Sequence, residues 1–353
     1  MRVAIGLSGG VDSSVAALLL KEQGHDVVGI TMRLWKGGKY KGGERTACYG
    51  ECEKDNIESA SLFAKKIGID YQVFDCSEEY DKTIVSYFRD AYLDGITPNP
   101  CVYCNPIMKF GLLPKLAEES GLKFDAFATG HYVRVEKKGD RFALLRAKDL
   151  AKDQSYFLYR LSQKQLSRQL FPMGNMTKVE AREFARERGL IVANRPDSQD
   201  FYSGEISELI GKADCPGDIV DLQGKKLGTH RGYWHYTIGQ RKGLGIGGAK
   251  EPYYVVELDA KQNRLIVGTA SDAVRYELTV RDMNWVSIEE TQKPIECRVK
   301  IRSTSEPKKP AILEGNKCVF PEGIAGVAPG QSAVFYALDS EEVLCGGIIN
   351  SPK

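Results

Sequence analysis

The sequence predicts an α/β protein: an amino-terminal parallel sheet wrapped by helices, then a small central β-rich module and a carboxy-terminal β-barrel. Three observations carry this. A short apolar run, RVAIGL (2–7), passes through SGGVDSS (8–14) directly into helical spacing. Apolar runs then alternate with helical patterns as far as residue 131, as parallel strands joined by helical crossovers would. After about residue 204 helical spacing gives way to short β-like runs between glycines.

Taken in order, RVAIGL is continuous enough in apolar residues for a buried strand, and SSVAALLLKEQG (13–24) reads as a helix stopping at Gly24. HDVVGITMRLW (25–35) is the second strand. IESASLFAKKIG (57–68) is an amphipathic helix closed by glycine, YQVFDC (71–76) a third strand, and FDAFATGH (124–131) a fourth that ends in a turn. KGGKYKGGERTACYGECEKD (36–55) breaks the pattern and is read as a mobile, charged loop over the site. The chain of 353 residues exceeds what one core usually serves. The expected boundaries are 1–204 for the nucleotide-binding part, 205–272 for the central module and 273–353 for the barrel.

Composition excludes little. Lys plus Arg number 49 and Asp plus Glu 47, and a net charge of +2 neither demands nor rules out a nucleic-acid partner. No window approaches the roughly 20 apolar residues that span a bilayer, and MRVAIGL does not read as a secretory leader. A cytoplasmic protein with no membrane partner is expected. Nine scattered cysteines, an odd number, do not read as a disulfide framework. Only Cys48/Cys52 and Cys101/Cys104 are clustered, which points to metal binding or chemistry.

SGGVDSS carries the strongest signal. A strand, two glycines and a helix start place backbone N–H groups where they attract an anion, and the serine hydroxyls add donors. The string is neither the Gly-Lys-Ser/Thr phosphate loop nor GxGxxG. It has no lysine, and Asp12 would repel a phosphate unless magnesium lay between them. TPNPCVYCN (97–105) is the second signal. Its prolines and Asn99 are read as stiffening a loop and keeping it out of regular structure. Cys101 and Cys104 can face one point there, as a redox pair or as half of a zinc site that Cys48 and Cys52 would complete.

SGGxDS is the signature of the PP-loop ATP pyrophosphatases, whose fold is of the adenine nucleotide alpha hydrolase kind, and the chain resembles them. Adding TPNPCVYCN, IMKFG (107–111), ATGHYVR (128–134), KDQSYFLYRL (152–161), YTIGQRKGLGIGG (236–248) and PGQSAVFY (329–336), the whole chain resembles the tRNA-specific 2-thiouridylases. The resemblance implies ATP-dependent exchange of the 2-oxygen of the wobble uridine for sulfur. The oxygen is first adenylylated, releasing pyrophosphate, and a cysteine-bound sulfur then displaces AMP. The implied partners are tRNAs for glutamate, glutamine and lysine and a sulfur-donor protein; the implied cofactors are ATP and magnesium.

Position by position, the resemblance places ATP at Gly6, Leu7, Ser8, Gly9, Gly10, Val11, Asp12 and Ser13, with Met32 near adenine and Gly130 as a second nucleotide contact. It places the target base at Asn99, Pro100 and Cys101, where many relatives have aspartate at the last position. Cys104 is the implied catalytic cysteine. Lys152, Asp153 and Gln154 match a tRNA-contacting segment, against a plain solvated turn. Arg302 lies where the barrel would touch tRNA. GQRKGLG (239–245) suits phosphate contact or a simple hairpin turn, and His131 reads as structural.

One departure matters. The second cysteine of the family's scheme falls in DSQDFYSG (197–204), where this chain has Tyr202. The dithiol work then moves to Cys101 and Cys104, or to another thiol, or to an iron–sulfur cluster on Cys101 and Cys104 with one more ligand. Cys48 and Cys52 lead for that third position, with Cys76 and Cys215 behind. Two other functions stay open on sequence: a PP-loop enzyme with a different target, and a tRNA-binding paralogue that has lost catalysis.

Overall fold

The computed structural model describes residues 1–37, 48–190, 201, 202, 204–247, 251–307 and 309–350. The amino-terminal part runs β1 (Arg2–Gly6), α1 (Val11–Glu22), β2 (Asp26–Arg33), α2 (Glu53–Ile67) and β3 (Asp70–Asp75). A continuous helical run follows: α3 (Ser77–Tyr80), a π-helical stretch Asp81–Val85, and α4 (Ser86–Leu93). A second comprises α5 (Pro100–Cys104), a π-helical stretch Asn105–Leu112, and α6 (Leu113–Glu119). Then come β4 (Ala126–Thr129), the hairpin β5 (Val133–Lys138) and β6 (Arg141–Arg146), α7 (Ser155–Leu158), α8 (Gln163–Leu166), β7 (Gln169–Leu170) and α9 (Lys178–Glu187).

The first sheet has the order β3-β2-β1-β4-β7 and every neighbour is parallel. Its central strand needs no polar face: Val3, Ala4 and Ile5 are all fully buried, as a strand covered by helices on both sides requires. The chain moves outward from β1 through β2 to β3, then returns to the other side of β1 as β4. The carboxyl ends of β1 and β4 therefore flank the point where strand order reverses, the crevice where such sheets bind ligands.

The central module contains α10 (Ile206–Ile210), β8 (Gly217–Val220), β9 (Lys226–His230), β10 (Tyr254–Asp259) and β11 (Arg264–Gly268), in the order β10-β11-β8-β9. The last region holds β12 (Val274–Asn284), β13 (Ile295–Lys300), β14 (Lys309–Glu314), β15 (Lys317–Ala325), β16 (Ser332–Tyr336) and β17 (Glu342–Ile349). Pairing of β12 with β17 closes these six into an antiparallel barrel.

Two features depart from the sequence reading. Residues 97–105 are not a loop throughout: Pro100 opens α5, because a proline at the first helical position forfeits only an N–H that had no helical partner and its φ is already suitable. The expected loop 36–55 also ends early, since Glu53 begins α2; residues 38–47 of it lie outside the described residues.

The barrel is fused to the amino-terminal part. The β5–β6 hairpin extends it through β6 against β17, with Leu144 opposite Val343. One hydrophobic cluster contains Ala4, Phe127 and Phe110 together with Val334, Tyr336 and Ile348. At this seam Arg146 is enclosed, its side chain 2% exposed, and meets Asp153 at 3.2 Å, Glu306 at 2.8 Å and Glu341 at 3.1 Å. Asp153, whose side chain is fully buried, also accepts from the backbone of Ala147 and from Ser155 Oγ at 2.7 Å. Removing one member strands a buried charge. Asp153→Ala is expected to lower unfolding free energy by ~3–5 kcal/mol in urea titration, whereas Glu306→Gln, at the open edge of the network, costs less than ~1 kcal/mol.

Candidate active site

The turn from β1 to α1 is built to bring backbone close to backbone. Gly9 has φ +74°, and a Cβ there would sit 2.4 Å from the Asn56 carbonyl oxygen of α2. Gly130, just beyond β4, faces the first turn of α1; a Cβ there would lie 2.6 Å from the Ser13 amide nitrogen. Only glycine permits that approach. The serines order the turn: the Ser8 N–H donates to Ser13 Oγ at 3.2 Å, and the Ser14 hydroxyl donates to the Gly10 carbonyl at 3.0 Å. Gly6 and Leu7 complete β1's edge, with the Leu7 N–H donating to Ile30. Gly10 precedes the helix and Val11 is buried beneath it. Met32 lies half-buried on the neighbouring strand β2.

Asp12 meets a partner that the sequence reading missed. Lys178 Nζ, at the first position of α9, lies 2.7 and 2.9 Å from the two Asp12 oxygens, and the Tyr132 hydroxyl donates to Oδ1 at 2.9 Å. Lys178 is itself held, with its backbone N–H on Asp149 Oδ2 at 2.9 Å and a capping box of Thr177 and Glu180 around the helix start. An ammonium thus offsets the aspartate charge beside the anion-attracting helix terminus. The signal was present in TKVEA as a helix start, but its partner is 166 residues away. Asp12 also supplies a hard oxygen donor of the kind that magnesium shares with phosphates.

The two cysteines of α5 stand three residues apart on one helix, both half-buried. Their helix is fixed from the barrel and from α7. Gln331 Nε2 donates to the carbonyls of Thr97 and Pro98, both at 3.1 Å, and the Asn105 amide donates to the Phe157 carbonyl at 3.1 Å. Asn99 and Pro100 are buried at the helix start. Burial pushes the Cys104 thiol up to about 12, with Cys101, Cys48 and Cys76 adding to the rise and Lys109 opposing it. Lys109 is the second residue that sequence reasoning passed over. Its charge bears on Cys104 and Cys48 and also on His131 beside the nucleotide turn. Its neighbour Phe110 packs against the His131 ring at 5.6 Å. Burial holds His131 neutral, with Nδ1 at 2.7 Å from Thr129 Oγ1.

The remaining candidates lie apart from this centre. Lys152 is exposed; Asp153 is sealed in the Arg146 network; Gln154 Oε1 accepts the Tyr132 N–H at 2.9 Å and so steadies the residue that touches Asp12. Arg302 ties the barrel to the central module, donating to the carbonyls of Ile238 at 2.7 Å and Gly326 at 3.2 Å. Residues 239–245 form turns that expose Arg241 and Lys242. Tyr202 is buried, its hydroxyl bonded to Glu208, in the same cluster against which Cys104 packs. A zinc site or an iron–sulfur cluster needs at least three ligands at one point. Among the described residues no three Cys, His, Asp or Glu side chains are gathered to hold a metal ion.

Comparison with known proteins gives three family matches in chain order: tRNA methyl transferase HUP domain over residues 1–202, tRNA methyl transferase PRC-barrel domain over 205–269, and aminomethyltransferase beta-barrel domain over 275–349. Relatives named tRNA-specific 2-thiouridylase MnmA are similar over full length. That of Endomicrobium trichonymphae is 45% identical over 359 residues, covering 99% of both chains. That of Trichormus variabilis is 45% identical over 99% of this chain and 98% of its own. That of Synechocystis is 44% identical over 100% and 98%. Among solved structures, a 4-thiouridine synthetase–RNA complex with bound ATP overlaps 59% of this chain and 45% of its own, at 16% identity and a TM-score of 0.35. A likeness that slight carries no argument about function.

Two outcomes test this geometry. Lys178→Met, which leaves Asp12 uncompensated beside the bound triphosphate, is expected to weaken ATP binding by about 10²-fold in calorimetric titration, with Lys178→Arg staying within about tenfold. Cys104 in the free chain is expected to react with iodoacetamide at pH 8 more than about tenfold slower than free cysteine, because its thiol is pushed up.

Proposed function

The chain belongs to the tRNA-specific 2-thiouridylase family and is a tRNA sulfurtransferase, and we propose that it acts on the wobble uridine through an adenylylated base and a sulfur carried on Cys104. The family is ATP-binding, and the β1–α1 turn is where the nucleotide's phosphates belong. One observation carries the reading: Phe110, on the helical run that continues from Cys104, packs against His131 at 5.6 Å, next to the Gly130 that faces the start of α1. That contact runs the helix of Cys104 alongside the glycine turn and supports one site for both.

The residues divide the work as their chemistry dictates. N–H groups at the start of α1 and the Ser8 hydroxyl cradle the phosphates. Lys178 holds Asp12 in place and cancels its charge. Magnesium, when bound, neutralises charge growing on the departing pyrophosphate, and Asp12 would hold it in exchange for its bonds to Lys178. Asn99 and Pro100 start the helix that points Cys101 and Cys104 at the base. Lys109 favours the anionic form of sulfur on Cys104, opposing the burial that disfavours it. Exposed Lys152, Arg241 and Lys242 offer positive charge to the tRNA backbone. The tRNAs for glutamate, glutamine and lysine are the expected acceptors, a persulfide-bearing protein the expected sulfur donor, and the cytoplasm the place where both are met.

Purified chain supplied with tRNA, ATP, magnesium and a persulfide is expected to release pyrophosphate and AMP only when tRNA is present, and to form 2-thiouridine at the wobble position by nucleoside mass spectrometry. Cys104→Ser should keep a single burst of pyrophosphate and form no 2-thiouridine. Thiolation at full rate in Cys104→Ser, or pyrophosphate release indifferent to tRNA, contradicts the assignment.

A further inference from the structure

A sulfur transfer of this kind leaves a bond to be cut. When a Cys104 persulfide attacks carbon 2 of the activated uridine, a C–S bond forms, the C–O bond to AMP breaks, and the base stays tethered through the two sulfurs to Cys104. A second thiolate must attack the Cys104 sulfur. That breaks the S–S bond, sends its electron pair to the base sulfur as 2-thiouridine, and leaves a disulfide that an external dithiol reduces with two electrons. Tyr202 cannot serve, because a phenol forms no disulfide, and its hydroxyl is taken by Glu208.

The structure brings another cysteine to the same spot. The Tyr49 N–H donates to the Phe201 carbonyl at 3.0 Å. The peptide unit joining Cys48 to Tyr49 is thus hydrogen-bonded to the one joining Phe201 to Tyr202. Tyr49 is locked there: its ring, 2% exposed, stacks on Tyr80 at 5.5 Å and on Phe201 at 6.4 Å, and its hydroxyl donates to Asp81 at 2.8 Å. Cys104 packs against the cluster that contains Tyr49, Tyr80 and Tyr202. Cys48 borders it with its surface open to solvent, as a thiol reset by an external reductant must be, although enough chain surrounds it to push its thiol up. The electrostatics agree with this placement. The sulfurs of Cys104, Cys48 and Cys101 all bear on the enclosed Tyr80 hydroxyl, and Lys109 lowers both Cys48 and Cys104 against their desolvation.

We propose that Cys48 is the thiol that frees the sulfur from Cys104, standing beside the position that Tyr202 has taken out of thiol chemistry. The inference rests on the sulfur transfer through Cys104 set out above.

The test is one turnover without reductant. Wild-type chain, loaded by an organic persulfide, is mixed with tRNA, ATP and magnesium, then digested and mapped by mass spectrometry under non-reducing conditions. A Cys48–Cys104 linked peptide is expected, in step with 2-thiouridine. Cys48→Ser is expected to keep the AMP burst, lose at least tenfold in 2-thiouridine release, and accumulate a tRNA–enzyme adduct that dithiothreitol cleaves to thiolated tRNA. A Cys101–Cys104 link in the wild type, or full-rate release by Cys48→Ser, overturns the proposal. Absence of the AMP burst in the wild type would instead strike the sulfur-transfer reading on which it rests.

Discussion

The pairing of Lys178 with Asp12 at the start of α1 is the interaction on which the rest depends. A helix amino terminus attracts phosphate, but a carboxylate in its first turn works against that attraction. At 2.7 and 2.9 Å the ammonium converts the carboxylate from an obstacle into a fixed polar group. It also pins α9 to α1, and through Tyr132 and Gln154 it reaches the segment that joins the sheet to the barrel. The glycine turn and the domain seam are thereby one connected structure.

That seam ties the barrel to the helix that carries the cysteine pair. Gln331, on the loop entering β16, holds the Thr97 and Pro98 carbonyls ahead of α5. Tyr156 donates to the Ser332 carbonyl at 3.1 Å and accepts the Ser332 N–H at the same distance. KDQSYFLYRL and PGQSAVFY, far apart in the chain, are two sides of one joint. The joint sets where Cys104 points. Asp153 belongs to the same seam, where it keeps Arg146 satisfied.

Much of the fold was legible because it rests on local pattern. β1, β2 and β4 are mainly apolar runs, β3 is a short mixed run set off by the glycine that closes α2, α1 and α2 have helical spacing, and the late short strands recur between glycines. The helices between Ser77 and Glu119 were not legible, since π-helical stretches interrupt their period and prolines suggested a loop. The β5–β6 hairpin joins the barrel's sheet and not the parallel sheet that precedes it in the chain, which no local pattern announces. At the site, SGGVDSS and the cysteine pair were visible as chemistry. Lys178 and Lys109 were not, because a lysine on a helix looks solvated until its distant neighbours are known. Cys48 was visible as a thiol; its pairing with the chain around Tyr202 was not.

In the proposed reaction the uridine 2-oxygen leaves as part of AMP. The most direct measurement labels that oxygen with ¹⁸O in the substrate tRNA and follows it through one turnover. The account predicts one ¹⁸O atom in the phosphate of the released AMP for each 2-thiouridine formed. Label recovered in water or retained on the tRNA, with unlabelled AMP, would contradict it.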